Sequence, residues 1–158
     1  MQHKKQHLIL LFQIFIFGIS PAQSFIDKDS IFKKSAEENK AVLIIFSGSD
    51  WCKNCIQFEK GIMKDSSFQQ FIRENVLLLN ADFPQKQKLS EKLIQQNEFL
   101  AERYNPKGIF PMFVLVSPNK KTAVISFQHE AAAPFTDKLK AALASISQQW
   151  LNRKLVQN

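Results

Sequence analysis

Only two cysteines and three histidines occur in this 158-residue chain. So few cysteines exclude a disulfide-stapled secreted scaffold, which relies on several widely spaced pairs. A closed zinc site is disfavoured too, because a tetrahedral centre needs a full set of nitrogen and sulfur ligands. His3 and His7 stand at the extreme N-terminus, which leaves His129 and one cysteine pair. No methionine cluster or paired histidine supports copper delivery, although two thiolates suit Cu(I). The formal charge of +7 is spread along the chain rather than clustered, so nothing points to nucleic acid. No internal repeat, low-complexity tract or second domain interrupts a length that suits one hydrophobic core.

The first 22 residues differ from the rest. His3, Lys4, Lys5 and His7 form a basic start, and Leu8 to Ile19 is nearly all apolar. Ser20-Pro21-Ala22 then offers small residues to a signal peptidase. This is the layout of a secretory signal peptide, with cleavage expected after Ala22 and residues 23–158 as the mature domain. The competing reading is a retained anchor, but the apolar run is short for a span of roughly 20 residues. No cysteine follows the cleavage site to accept a lipid. Removing Lys4 and Lys5 with no acidic residue takes the charge from +7 to +5.

Both cysteines lie in Trp51-Cys52-Lys53-Asn54-Cys55. Two thiols at this spacing form either a redox pair or half of a zinc site. Their setting favours redox. The apolar run Ala41–Phe46 precedes them, a polar turn Ser47-Gly48-Ser49-Asp50 follows it, and Ile56–Met63 can continue as a helix. In an exported protein such a pair is expected to oxidise. It closes too short a loop to restrict the unfolded chain much, so reactivity explains it better than stability does.

The remaining pattern predicts an α/β domain of order α-β-α-(α)-β-α-β-β-α. Asp29 or Ser30 is read as capping a helix to about Asn39, with Ile31, Phe32 and Ala36 inward. Ala41–Phe46 and Val76–Ala81 read as strands buried on both faces. Cys52 to about Lys64 reads as a helix with Ile56 and Phe58 inward, and Phe68, Phe71 and Ile72 mark a short helix after it. Leu89, Leu93, Ile94, Leu100 and Ala101 recur at helical intervals within Gln85–Tyr104. Met112–Val116 and Thr122–Phe127 flank a hairpin turn at 117–121, and Leu139, Leu143, Ile146 and Trp150 stripe a terminal helix from Thr136 to about Leu151.

Together, the strand Ala41–Phe46, the motif Trp51–Cys55, the segment Asn80-Ala81-Asp82 and Gly108-Ile109-Phe110-Pro111 resemble the thioredoxin superfamily. The resemblance runs from about Ser30 to Trp150. It is nearest to the exported thioredoxin-like proteins of Gram-negative bacteria, of the Bacteroidetes type. It implies a thioredoxin fold, with a central mixed sheet of four to five strands flanked by helices on both faces. It also implies a periplasmic thiol–disulfide oxidoreductase, acting on protein disulfides and fed by an inner-membrane thiol reductant. No organic cofactor or metal is implied, and no membrane span once the signal is removed. Pro111 would carry a cis peptide bond beside the cysteines and, with Phe110, line the substrate groove. The plain alternatives are a strand-start proline and a core phenylalanine.

Within that frame Cys52 is the expected nucleophile, at a helix N-terminus that lowers thiol pKa to somewhere in the range of about 3.5–7.5. Cys55 is the expected, more buried resolving thiol. Trp51 either shields the pair or serves as an ordinary core aromatic. Lys53 adds positive charge or is merely a surface lysine, and Asn54 completes the central pair. The family often has a buried acid six residues before the first cysteine, where this chain has Phe46, and a lysine on the neighbouring strand, where Val76–Leu79 is apolar. Proton handling then falls to water, Asp50 or the substrate, with Asp50 read first as a solvated loop acid. The rival function is a non-catalytic thioredoxin-fold Cu(I) chaperone or partner-binding module.

Overall fold

Continuous apolar runs dictate the centre of the sheet. A computed structural model describes residues 26–156, with side chains as far as Ser147. The expected signal segment, residues 23–25 and the Trp150 side chain lie outside the described residues. The chain order is α1 (Lys28–Glu38), β1 (Ala41–Ser47), α2 (Lys53–Gly61), α3 (Ser66–Asn75), β2 (Val76–Asp82), α4 (Glu91–Tyr104), β3 (Met112–Val116), β4 (Thr122–Ile125) and α5 (Ala132–Val156). The strands form one mixed four-stranded sheet in the order β2-β1-β3-β4. β1 runs parallel to β2 and antiparallel to β3, which pairs antiparallel with β4. This is the lower of the two expected strand counts.

Period-two alternation divides the β1 side chains between two cores. Leu43 and Ile45 join Phe58, Phe68, Phe113, Leu115, Phe135 and Leu139 on the face covered by α2, α3 and α5. Val42, Ile44 and Phe46 pack with Ile31, Leu79, Leu100 and Val114 on the face covered by α1 and α4. Burial on both sides explains why β1 carries no polar residue before Ser47. Phe113 pairs across the sheet with both Ile45 and Ile125, so the hairpin strands extend the first core.

Local chemistry sets the helix ends. Asp27 rather than Asp29 or Ser30 caps α1, accepting from the Ser30 amide, and Asn39 ends it in the left-handed region at φ 52°. Asp65 caps α3 through the Phe68 amide, and Ser90 caps α4 through that of Leu93. α2 stops at Gly61, short of Lys64, although Ile62 remains buried. α5 starts at Ala132, earlier than Thr136, whose hydroxyl donates to the Ala132 carbonyl at 2.7 Å. β4 ends at Ile125, and Phe127 beyond it still packs on Phe58 and Phe135. In the hairpin turn Lys120 takes φ 64° and its amide reaches the Ser117 carbonyl.

Two expected core positions are corrected. Ala36 is exposed, and Ser35 is buried in its stead because its hydroxyl donates to the Lys40 carbonyl at 2.6 Å. Ile94 is 42% exposed, and Leu89 precedes α4 rather than lying on it. The inward positions of α4 are Gln96, Asn97 and Leu100. Gln96 accepts from the Lys28 amide and donates to the Ile26 carbonyl, while Asn97 donates to the Asp82 carbonyl at 2.7 Å. Such bonds offset the cost of burying amide side chains.

Candidate active site

β1 ends at Ser47, and the chain turns at once into α2. The amides of Trp51 and Cys52 both donate to the Gly48 carbonyl, at 3.3 and 2.9 Å. This tight turn delivers Cys52 as the N-cap of α2, with extended backbone. Its sulfur accepts from the Cys55 amide at 3.2 Å, one of the helix-end donors that have no intrahelical partner. Cys52 and Cys55 are joined as a disulfide, with Cα atoms 5.2 Å apart. The two residues are almost equally buried, 7% and 5% exposed, so depth hardly separates them. What separates them is the amide aimed at Cys52. Lys53 and Asn54 between them are exposed.

Asp50 serves as a clamp. Its carboxylate accepts from the amides of Gln85, Lys86 and Gln87 at 2.9, 2.7 and 3.2 Å. The bond from Gln85 is the largest influence holding its pKa below the ordinary aspartate range; slight burial opposes it, and the other two amides and the Lys86 charge reinforce it. Asp50 therefore ties the motif's turn to the segment after β2.

Trp51 departs from one of its two expected roles, that of an ordinary core aromatic. It is 40% exposed, and its indole N–H donates to the Phe83 carbonyl at 2.7 Å. Its ring meets Phe110 edge-on at 5.5 Å, and Phe110 meets Phe83 at 5.6 Å. The three rings thus pack in series, Trp51 preceding Cys52 and Phe110 preceding Pro111 in the chain, with Ile109 51% exposed nearby in sequence. The Phe110–Pro111 peptide bond is cis, as the resemblance implied. Pro111 immediately precedes Met112, the partner of Phe46 in β1.

Two residues that sequence reasoning passed over shape the site. Asn105, 2% exposed, donates to the Ile109 carbonyl at 2.8 Å and accepts from the Ile109 amide at 2.9 Å. It thus folds the loop that presents Phe110 and Pro111, with Gly108 at φ 61°, a conformation suited to glycine. An Asn-Pro pair such as Asn105-Pro106 signals a turn in sequence but does not reveal this bracket. Asp82, at the end of β2, accepts from the Ser47 hydroxyl at 2.9 Å and from the Ser49 amide and hydroxyl at 2.9 and 2.6 Å. A cleft of about 430 Å³ beside it is lined by Cys55, Pro111, Ser47, Ser49, Glu59 and Asp82. Phe46 is fully buried, so the strand position of the family's acid is apolar.

Metal ligands are not gathered here. Among the described residues no group of three or more His, Cys, Asp or Glu side chains is placed to hold an ion. His129 lies against Phe127, with Nδ1 3.1 Å from Gln57 Oε1. The arrangement carries its own two-electron couple, the Cys52–Cys55 disulfide and its dithiol.

Comparison with known proteins agrees with this geometry. The Thioredoxin-like family model matches residues 24–118. The disulfide bond reductase DsbH of Chlamydia pneumoniae is 33% identical over 110 residues, covering 69% of this chain and 66% of that protein. The thioredoxin-related protein DsbJ of the same organism is 24% identical over 116 residues, which cover 72% of this chain and 33% of DsbJ. The chain thus spans just under two thirds of one curated relative and one third of the other. A solved DsbH oxidoreductase superposes with a TM-score of 0.70 at 29% identity, covering 76% of this chain and 83% of that one. A thioredoxin from Thermus thermophilus shares the fold, with a TM-score of 0.52 at 15% identity over 72% of this chain and 82% of its own. With the family model covering well over half its length, the chain belongs to the thioredoxin-like family.

Proposed function

We propose that this protein is a periplasmic thiol–disulfide oxidoreductase that reduces protein disulfides through Cys52 and Cys55. The observation that carries the reading is the Cys55 amide directed at the Cys52 sulfur at 3.2 Å. A helix-end donor in that position stabilises a thiolate on Cys52, which marks it as the attacker. Cys52 thiolate attacks one sulfur of a substrate disulfide and expels the other as a thiolate, giving a mixed disulfide. Cys55, deprotonated, then attacks the Cys52 sulfur. The Cys52–Cys55 bond forms, the substrate leaves as its second thiolate, and two electrons have passed to the substrate. Trp51, 40% exposed, and the half-buried Phe110 next to Pro111 suit an extended peptide. Lys53 and Asn54, between the two cysteines, are both exposed.

The reducing direction is supported by the likeness to a protein named as a disulfide bond reductase. It requires a thiol donor to regenerate the pair, assigned here to a reductant of the inner membrane. Export rests on the leader at 1–22, removed near Ala22. Among the described residues no helix is long and apolar enough to cross a membrane. An insulin-reduction assay tests the reading against its Cu(I)-chaperone rival. With a reductant supplied, wild type should precipitate insulin B chain and Cys52→Ser should not. A wild type that reduces no disulfide yet binds Cu(I) tightly would reverse the conclusion.

A further inference from the structure

Resolution needs somewhere to send a proton. Cys55 attacks only as a thiolate, so its S–H proton must leave first. Phe46 offers no acceptor, and Asp50, bound to three amides of another segment, does not line the cleft that Cys55 lines. Strand alternation points elsewhere. Phe46 faces the core beneath α1 and α4. The next residue, Ser47, and its β2 partner Asp82 therefore face the opposite side, toward α2. Asp82 and Cys55 line the same cleft there, with Ser47, Ser49 and Pro111, and its volume of about 430 Å³ accommodates water. The carboxylate is held by three donors from β1 and the turn that carries Cys52, and the Asp82 carbonyl is held by Asn97.

From this geometry we infer that Asp82 accepts the Cys55 proton through water in the cleft, a positioning residue for the resolving step. The inference rests on the exchange reading proposed above. In the step, the Cys55 S–H bond breaks and its proton passes through water to Asp82. The thiolate forms the Cys52–Cys55 bond, and the bond from Cys52 to substrate sulfur breaks with its electron pair leaving on the substrate. Asp82 then returns the proton to solvent. The other charged groups lining this cleft are Glu59 and Lys60 of α2, while Lys88 and Glu98 line a separate pocket that Asp82 also borders. Glu59 is the competing acid. It is exposed on α2, whereas Asp82 is fixed against the turn it serves.

The test uses reduced full-length protein and a peptide disulfide whose two thiols carry different chromophores, so that attack and resolution are timed separately across pH. Asp82→Asn should leave the attack phase near wild type, slow resolution about 100-fold at neutral pH, and move its pH inflection upward. Ser49→Ala, which keeps the carboxylate but removes one of its three donors, should move the inflection far less than Asp82→Asn does. Unfolding midpoints of each variant report whether it folds. A wild-type inflection in Asp82→Asn, an equal shift in Ser49→Ala, or a shift in Glu59→Gln instead would overturn the inference. Absence of both phases in wild type would instead overturn the exchange reading itself.

Discussion

The indole of Trp51 lies over Gly48, so close that a Cβ at Gly48 would fall inside van der Waals contact with Cε2, Nε1 and Cζ2 of the ring. The same ring donates to the Phe83 carbonyl and leans on Phe110. Gly48 is thus small because Trp51 needs the room, and its carbonyl also closes the turn into α2. Gly48→Ala should displace the ring and cost about 1–3 kcal/mol, the usual range for overpacking. Urea unfolding measures the loss, and near-ultraviolet circular dichroism should change with it. A fully stable variant with an unaltered aromatic spectrum would contradict this packing.

Asp50 makes the neighbourhood sensitive to acid. Its folded pKa lies below its unfolded value, chiefly through the Gln85 amide, so the carboxylate is stabilised by folding. That stabilisation is present above the ordinary aspartate range and is lost as pH falls through the lowered folded value. Hydrogen exchange at the Gln85, Lys86 and Gln87 amides should accelerate relative to core amides as pH falls through that window, once intrinsic rates are subtracted. Asp50→Asn should show the faster exchange already at neutral pH. Protection unchanged in the variant would show that the segment is held by other means.

Phe58 joins the site to the larger core. It is 3% exposed and meets Phe113, Phe135, Phe127 and Phe68 at ring distances of 4.5, 5.2, 5.5 and 6.1 Å. It follows Cys55 by one helical turn, so it also seats the helix whose first turn holds the disulfide. Phe58→Ala should cost about 3–5 kcal/mol, measured by denaturant unfolding. A loss below about 1 kcal/mol would mean that the cluster collapses around the gap.

Burial patterns made the fold legible, and hydrogen-bonded detail did not follow from them. The unbroken apolar run of β1 and the Ser117–Lys121 turn make the mixed sheet legible, because two-sided burial leaves a plain pattern. The expectation of the same burial for β2 is corrected, since β2 lies at the sheet edge with Asn80 exposed and Leu77 and Leu78 half-buried. Gln96 and Asn97 carry no such pattern: their burial depends on carbonyls of Ile26 and Asp82, distant in sequence. Asp82 stands out in the sequence only as part of a family-like segment, since its bonds to Ser47 and Ser49 exist only once β1 and β2 are in register. Ala36 failed as a core position because Ser35, one residue away, satisfies its hydroxyl locally. Within the motif, spacing alone suggested that depth would distinguish the thiols. The two thiols are buried almost equally, and a directed amide distinguishes them instead.

The account depends most on Cys52 as the sulfur that attacks. Trapping measures this directly: Cys55→Ser and Cys52→Ser proteins are expressed in the native compartment, alkylated, and run without reductant, and the partners are identified by mass. Cys55→Ser should accumulate mixed disulfides through Cys52, and Cys52→Ser should accumulate few or none. Equal trapping by the two variants, or trapping through Cys55 alone, would contradict it.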